Sequence, residues 1–313
     1  MNSTLIVFLD GVGLGEADPG VNPFMHARMP FLHTLLGVPH LAANTAGAMT
    51  RQAALLAVDA GLGVEGLPQS ATGQTAILTG HNAPALLGEH FGPYPSQPLR
   101  QLLAEQSLFA RLTRQNRPVA YANAYPRRFL DRIERGKGRL SANTLAAHMA
   151  GLPLRGLPEL RRGEAISALF TNEFWPEPNV SLPLLPVREA GQKLARLAMR
   201  HQLTFFEFWY SDYLGHKMER EESVRILERL DGFLAGVCDT LDFSRSLLLV
   251  ISDHGNLEDW TTKKHTPHPA LGLLVGQPVE PMAARLQSLT DVAPLIVDYL
   301  DGADSPPVLP RER

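Results

Sequence analysis

The sequence predicts an α/β fold: a three-layer αβα sandwich around a mostly parallel sheet, with a small inserted cap. Apolar runs at 5–9, 203–210 and 246–252 have the continuous hydrophobicity of strands buried on both faces. Between the last two runs, apolar residues recur at helical spacing over 221–241, which predicts a strand-helix-strand unit. With 44% hydrophobic residues in 313, the chain can bury a large core.

The other predicted elements complete the layers. In chain order they are a helix at 70–80, a strand at 118–124, a helix at 187–201, a strand at 271–275 and a helix at 290–300. An arginine-rich and then proline-rich stretch predicts a small cap at 127–185, within which 165–170 could equally be a core strand. The core would then comprise 1–126 and 186–304, and 305–313 would be a flexible tail.

Composition excludes several classes of partner. The 29 basic residues against 32 acidic ones give a net charge of −3, which offers no footprint for nucleic acid or an anionic membrane surface. The first apolar run is too short for a signal peptide or a membrane span. The single cysteine, Cys238, cannot form an internal disulfide, so we expect a cytoplasmic protein. Oligomeric state leaves no sign in the sequence.

Acidic residues follow each of the three main strands, and histidines lie nearby. Because the carboxyl ends of parallel strands meet at one edge of a sheet, these side chains can converge. Histidine and carboxylate together suit divalent ions such as Mn²⁺, Zn²⁺ or Fe²⁺. The predicted ligands are Asp10, Asp212, His216, Asp253, His254 and His265. Two such ions can hold a phosphoryl group between them, so the pattern predicts two-metal phosphoryl transfer.

Ser70 is the candidate nucleophile. It opens the predicted helix at 70–80, where backbone N–H groups and the helix dipole favour phosphate. The alternative for Ser70 is an ordinary helix N-cap, and Thr72 and Thr75 are rival nucleophiles.

These motifs resemble the metal-dependent alkaline phosphatase superfamily, in particular the branch of phosphopentomutase and cofactor-independent phosphoglycerate mutase. The similar segments are Asp10-Gly-Val-Gly-Leu-Gly, Ser70-Ala-Thr-Gly, Asp212-Tyr-Leu-Gly-His216, Asp253-His-Gly-Asn256 and His265-Thr266. The resemblance implies one metal held by Asp212, His216 and His265. It implies a second held by Asp10, Asp253, His254 and Ser70.

The chain departs from the mutases in several places, and its short predicted cap favours hydrolysis. Gln74 replaces the histidine that commonly follows the glycine of the nucleophile motif, and the predicted cap is much shorter than a mutase cap. A small cap would let water intercept a phosphoserine at Ser70. We therefore expect hydrolysis of a small phosphate ester, supported by two Mn²⁺ or Zn²⁺ ions. A phosphomutase acting on a sugar phosphate or phosphoglycerate and a catalytically inactive metal-binding protein remain the alternatives.

Further residues have supporting roles in this interpretation. Candidates for substrate binding are Arg127, Arg128 and Asn123. Candidates for supporting the metal ligands are Thr72, Gln74, Asn256 and His268. The glycines after Asp10 lack the spacing of a dinucleotide-binding loop and more plausibly let the backbone pass close to the metals. The sequence does not explain why Glu207 lies inside an apolar strand.

Overall fold

The computed structural model describes residues 2–173, 175–177 and 179–302. Its strands are β1 (Ser3–Leu9), β2 (Ala53–Val58), β3 (Val119–Tyr121), β4 (Asn123–Ala124), β5 (Ile166–Ser167), β6 (Leu203–Phe208), β7 (Ser246–Ser252) and β8 (Ala270–Val275). Six of them form the central sheet in the order β2-β8-β7-β1-β6-β3. Pairing is parallel from β7 through β1 and β6 to β3, whereas β8 runs antiparallel to both of its neighbours.

Helices cover both faces of this sheet. They are α1 (Pro30–Leu36), α2 (Ser70–Thr79), α3 (Ala83–Leu87), α4 (Gln97–Gln106), α5 (Leu108–Arg114), α6 (Arg127–Glu134), α7 (Ala142–Met149), α8 (Leu157–Arg162), α9 (Val187–Ala198), α10 (Tyr210–Lys217), α11 (Arg220–Thr240), α12 (Val279–Arg285) and α13 (Val292–Asp301). One core cluster joins one sheet face to α2, α4, α5, α7, α12 and α13, and another joins the opposite face to α1, α9 and α11. The predicted three-layer α/β fold is confirmed.

The three strands that carry the predicted ligands are adjacent. β1 lies in the middle, with Leu9 aligned to Phe208 of β6 and to Ser252 of β7. Every residue of these strands is buried, which explains their continuous apolar runs. Their carboxyl ends therefore meet at one edge of the sheet, as the sequence predicted.

The strand predicted at 118–124 divides between two sheets. The N–H of Ala122 still donates to Phe205 of β6, at 2.7 Å, but its carbonyl accepts from Ile166, at 2.8 Å. The chain thus leaves the central sheet at Ala122 and pairs with β5 in a separate two-stranded sheet. The segment at 165–170 is therefore not a strand of the central sheet.

The predicted cap at 127–185 contains one element of the main core. α7 packs against α2, α4 and α5, and Leu140, Ala146 and Ala147 are buried in the same cluster as the sheet. The division into core and cap stays a prediction. Within the predicted cap, α6, α8 and β5 are the elements outside this packing. The predicted tail at 305–313 lies outside the described residues. In the described part of the chain, no helix has the length and apolarity to cross a membrane.

Candidate metal centre

One group of predicted ligands gathers around α10. The helix begins two residues after β6 ends, which places Asp212 in its first turn and His216 one turn later. The Nε2 atom of His216 lies 3.2 Å from Oδ2 of Asp212, and Nε2 of His265 lies 3.6 Å from Oδ1. Ligand atoms of the three residues lie within 4.8 Å of one another, so they could hold one ion.

A second group gathers at the ends of β1 and β7. The Nε2 atom of His254 lies 3.5 Å from Asp10 and 3.6 Å from Asp253. Ligand atoms of Asp10, Asp212 and His254 also lie within 4.8 Å of one another. Asp212 therefore belongs to both groups, which the sequence did not indicate. The two groups share a carboxylate, as expected of two neighbouring ions.

All three histidines present the same ring nitrogen to the site. Nδ1 of His216 contacts the carbonyl of Lys263 at 2.7 Å, and Nδ1 of His265 contacts that of Pro68 at 2.7 Å. Nδ1 of His254 lies 3.3 Å from the carbonyl of Gly255. A carbonyl accepts a hydrogen bond, so each Nδ1 carries a proton and each Nε2 is the ring atom left to face a metal ion. This is the usual way in which proteins orient histidine for a metal.

The carboxylates are arranged as a metal site requires. Burial, together with the charges of Asp253 and Asp212, raises the pKa of Asp10 well above its ordinary value. Burial likewise raises the pKa of Asp253 to about 8. Burial opposes ionisation of Asp212 too, but hydrogen bonds to His216 and Asn256 and the nearby histidine charges together outweigh it and lower the pKa of Asp212. Two buried acids thus need a nearby cation before they can ionise at neutral pH.

One buried oxygen tests whether these residues fit a metal. Oδ1 of Asp10 is inaccessible to solvent and has no hydrogen-bond partner among the described residues. A buried acceptor without a donor is costly, whereas a bound cation would satisfy it. The donor set, the histidine orientation and this oxygen all fit divalent metals.

The three candidate nucleophiles have different surroundings. Oγ of Ser70 lies 3.1 Å from Nε2 of His254. The hydroxyl of Thr72 donates to the carbonyl of Gln69 at 3.0 Å, and that of Thr75 donates to Ala71 at 2.6 Å. The N-cap of α2 is Gln69, and Ser70 is its first helical residue, so Ser70 is not an ordinary N-cap. Of the three, it is the hydroxyl of Ser70 that faces the ligands.

Two of the predicted supporting residues contact the ligands directly. Gln74 donates to Oδ2 of Asp253 at 3.2 Å and accepts from the N–H of Ala142 at 3.1 Å, so it ties the site to α7. Asn256 donates to Oδ1 of Asp212 at 2.6 Å. The hydroxyl of Thr72 instead accepts a hydrogen bond from the N–H of Phe91 at 3.2 Å. This bond holds the start of α2 against Phe91.

Glu258 was missed by the sequence analysis. This carboxylate is fully buried and accepts from the N–H groups of Gly13 and Asn256, each at 2.8 Å. It also accepts from Thr266 and lies 3.0 Å from Nδ1 of His268. The available signal was its position five residues after Asp253, in a segment otherwise rich in site residues. Glu258 joins the loops after β1 and β7 to the segment of His265, and His268 supports this carboxylate.

We expect Glu258→Ala to destabilise the protein by at least about 3 kcal/mol, because it leaves two buried N–H groups unpaired and opens a cavity. Thermal unfolding of the metal-free protein measures the change. The neighbouring Asp259→Ala is the control, since Asp259 accepts from Thr261 in its own turn. A similar melting temperature for the two variants would contradict this role of Glu258.

Gly11 lets the first loop pass beside the ligands. Its φ of +65° is in the left-handed region, and an added Cβ would lie 2.5 Å from Oδ1 of Asp212. A larger residue at 11 would therefore displace the carboxylate that the two groups share. This agrees with the role expected for the glycines after Asp10.

Asn123 is hydrogen-bonded to the backbone of β6. Its side chain donates to the carbonyl of Glu207 at 2.6 Å and accepts the N–H of Glu207 at 2.8 Å. Both ends of the amide are thus occupied in continuing the sheet edge beside β6. These two hydrogen bonds give Asn123 a structural role at the sheet edge, and its role in substrate binding stays a prediction.

The two candidate arginines differ. The guanidinium of Arg127 pairs with Asp131 at 2.6 Å and Glu134 at 3.3 Å on its own helix. Arg128 forms no ion pair with any described residue and lines a cavity with Tyr125. Neither contacts the metal ligands in the part of the chain described. Their roles in substrate binding stay predictions.

Glu207 now has a structural account. It is buried on β6, where its carboxylate accepts from Tyr121 and from Thr144 at 3.1 Å. Asn143 and Ser141 each donate to it at 3.3 Å. These donors attach α7 to the sheet beside Asp10. A carboxylate inside an apolar strand is tolerated because its partners fold over it.

The metal-free protein should lose stability between pH 6.5 and 9. Hydrogen bonding to Asp212 raises the pKa of His216 from 6.5 to about 9, and burial raises that of Asp253 to about 8. A raised pKa gives stability that is present at low pH and lost as pH rises through the folded-state value. Burial lowers the pKa of His265 to about 4, so its contribution no longer changes above 6.5.

We expect the melting temperature in chelator to fall by about 5 °C over this range. Saturating Mn²⁺ should reduce the fall, because it satisfies the ionised carboxylates. Differential scanning fluorimetry at both pH values, with and without metal, measures this. A melting temperature in chelator that rises with pH would contradict the assigned shifts.

The C-terminal part of the chain matches a known family. Residues 186–303 match the model described as Metalloenzyme superfamily. This segment contains five of the predicted ligands: Asp212, His216, Asp253, His254 and His265. The resemblance to the metalloenzyme superfamily is confirmed.

Curated proteins similar to this chain include 2,3-bisphosphoglycerate-independent phosphoglycerate mutases. That of Desulforudis audaxviator (strain MP104C) is 28% identical over 131 residues, which cover 40% of this chain and 26% of the relative. That of Antithamnion sp. is 23% identical over 202 residues, which cover 59% and 38%. The matched part thus spans about a quarter to two fifths of the length of these relatives.

Solved structures share the fold of this chain. The PH0037 protein from Pyrococcus horikoshii superposes with a TM-score of 0.59 at 12% identity, covering 96% of this chain and 97% of that one. Phosphoglycerate mutase from Leishmania mexicana superposes with a TM-score of 0.51 at 12% identity, covering 98% and 96%. At such low identity these likenesses support the alkaline phosphatase-like α/β fold alone.

Proposed function

We propose that this protein is a two-metal-dependent hydrolase of a small phosphate ester and that it acts through a phosphoserine at Ser70. The observation that carries the proposal is the 3.1 Å contact between Oγ of Ser70 and Nε2 of His254, within a cluster of metal-type ligands. Asp212, His216 and His265 would hold one ion. Asp10, Asp253, His254 and Ser70 would hold the other, with Asp212 close to both.

Each step follows from the groups around Ser70. Bound divalent ions would supply neutralisation of phosphoryl charge and a lower pKa for the serine hydroxyl. Oγ forms a bond to phosphorus as the bond to the ester oxygen breaks, and the proton lost from Ser70 balances the one gained by the departing alcohol. Water then cleaves the phosphoserine. The N-terminal position of Ser70 in α2 favours the negative charge that develops there.

Access to water favours hydrolysis over mutase chemistry. The side chain of His216 is 44% exposed, so one side of the ligand cluster is open to solvent. A mutase must keep its phosphoserine from water until the phosphoryl group returns to the substrate. The names of the curated relatives support the mutase alternative, which the products can distinguish.

The test is phosphate release by protein reconstituted with Mn²⁺ or Zn²⁺, the two ions we consider best suited to these ligands. We expect inorganic phosphate from the generic ester 4-nitrophenyl phosphate. Absence of phosphate with every metal would overturn the proposal. Conversion of 3-phosphoglycerate to 2-phosphoglycerate without release of phosphate would favour the mutase.

A cytoplasmic location is also a proposal, which rests on the single cysteine.

A further inference from the structure

A cavity of about 460 Å³ lies beyond the carboxyl ends of β4 and β6. This volume is typical of a site for a small organic molecule. Four aromatic side chains supply much of its wall: Tyr125, Phe129, Trp175 and Trp209.

The aromatic walls offer flat surfaces for a ring. The rings of Tyr125 and Phe129 stack with centroids 4.5 Å apart and an angle of 18° between their planes. Trp209 is 44% exposed, although burial of so large an apolar ring would be favourable. An aromatic ligand would cover this exposed surface, whereas a polyol would leave its hydroxyl groups facing mainly apolar walls.

A cation lies at the same cavity. Arg128 lines it and forms no ion pair with any residue that the structure describes, in contrast to its neighbour Arg127, which pairs with Asp131 and Glu134. A guanidinium without a carboxylate partner is suited to an anionic group on a ligand.

Two connections place the cavity next to the proposed reaction site. Trp209 is the N-cap residue of α10 and lies three residues before Asp212. On the other side, the hydroxyl of Tyr125 lies 2.8 Å from that of Thr144, which bonds to Glu207 at 3.1 Å. Glu207 in turn is aligned with Phe8 of β1, two residues before Asp10.

We infer that this cavity binds the organic part of the substrate, and that this part is an aromatic or heteroaromatic ring with a negatively charged group that faces Arg128. The inference rests on the proposed function, because it places the phosphate at Ser70 and the ring against Trp209. It names an aryl phosphate monoester as the substrate class. Sugar phosphates and phosphoglycerate would then be poor substrates.

Trp209→Ala tests the ring site. With 4-carboxyphenyl phosphate we expect kcat/KM to fall about tenfold, while glycerol 3-phosphate, which has no ring, changes less than about twofold. Trp209→Phe should restore most of the loss. Tyr213→Ala is the matched control, since Tyr213 is on the same helix and is 46% exposed but does not line the cavity. Equal losses for the two substrates, or the same selective loss in Tyr213→Ala, would overturn the inference.

Arg128→Ala tests the charge. We expect the preference for 4-carboxyphenyl phosphate over phenyl phosphate to fall about tenfold. Arg132→Ala, one turn further along α6, should keep the preference, because Arg132 does not line the cavity. An unchanged preference in Arg128→Ala would remove the anionic group from the inferred substrate class.

Binding without turnover separates this inference from the proposed function. We expect (4-carboxyphenyl)phosphonate to bind the metal-loaded protein more tightly than methylphosphonate in isothermal titration calorimetry, and Trp209→Ala to remove the difference. If that holds but no ester is hydrolysed, the cavity stands and the hydrolase proposal fails. If esters are hydrolysed but the two phosphonates bind equally, the inference fails alone.

Discussion

Ser70→Ala should lower phosphate release by at least about 10³-fold, because it removes the atom that forms the bond to phosphorus. The hydroxyl of Ser70 is 3.1 Å from Nε2 of His254, whereas those of Thr72 and Thr75 donate to carbonyls of their own helix. Steady-state rates with 4-nitrophenyl phosphate at saturating Mn²⁺ measure the loss. Ser70 is buried, but its replacement by alanine removes only the hydroxyl oxygen. The melting temperature should therefore change little.

Thr75→Val is the matched control for this variant. It also removes a buried hydroxyl from α2, but one that donates to the carbonyl of Ala71 at 2.6 Å. We expect its rate to stay within about threefold of the unmodified protein. A labelled phosphoserine should be recovered after acid quench of the unmodified protein and not of Ser70→Ala. Equal rates in Ser70→Ala and the unmodified protein would exclude Ser70 as the nucleophile.

The sequence was sufficient to predict the sheet edge at which the ligands meet. Asp10 and Asp253 directly follow strands whose residues are all buried, and such strands read as continuous apolar runs. The parallel pairing of β1 with both β6 and β7 then follows from the topology of α/β folds. The apolar runs and the parallel sheet agree here, so the edge at which the ligands meet could be predicted.

Contacts between distant segments could not be predicted in this way. Glu258 depends on donors from Gly13, Thr266 and His268, which come together only in the folded chain. Nothing in the sequence around Asn123 indicates that its side-chain amide is hydrogen-bonded to the backbone of Glu207. The sharing of Asp212 between two groups is a matter of distances, which spacing along the chain does not determine.

Because Asp212 belongs to both groups of ligands, we expect its replacement to have a large effect on metal binding and on phosphate release. We expect Asp212→Ala to lose both ions and to lower phosphate release by at least about 10³-fold, because its carboxylate lies within ligand distance of both groups. His216→Ala, which changes one group, should keep one tightly bound ion. Metal content after gel filtration, measured by mass spectrometry, distinguishes two ions, one ion and none.

Asp212→Asn separates charge from shape in this prediction. The amide preserves the volume of the side chain but removes the negative charge that raises the pKa of His216. If shared charge is what holds the pair of ions, Asp212→Asn should resemble Asp212→Ala in metal content while keeping a melting temperature closer to that of the unmodified protein. If Asp212→Ala and His216→Ala instead retain the same amount of metal, Asp212 serves one ion only. The second ion would then depend on Asp10, Asp253 and His254, whose carboxylate and imidazole atoms already lie 3.5 to 3.6 Å apart.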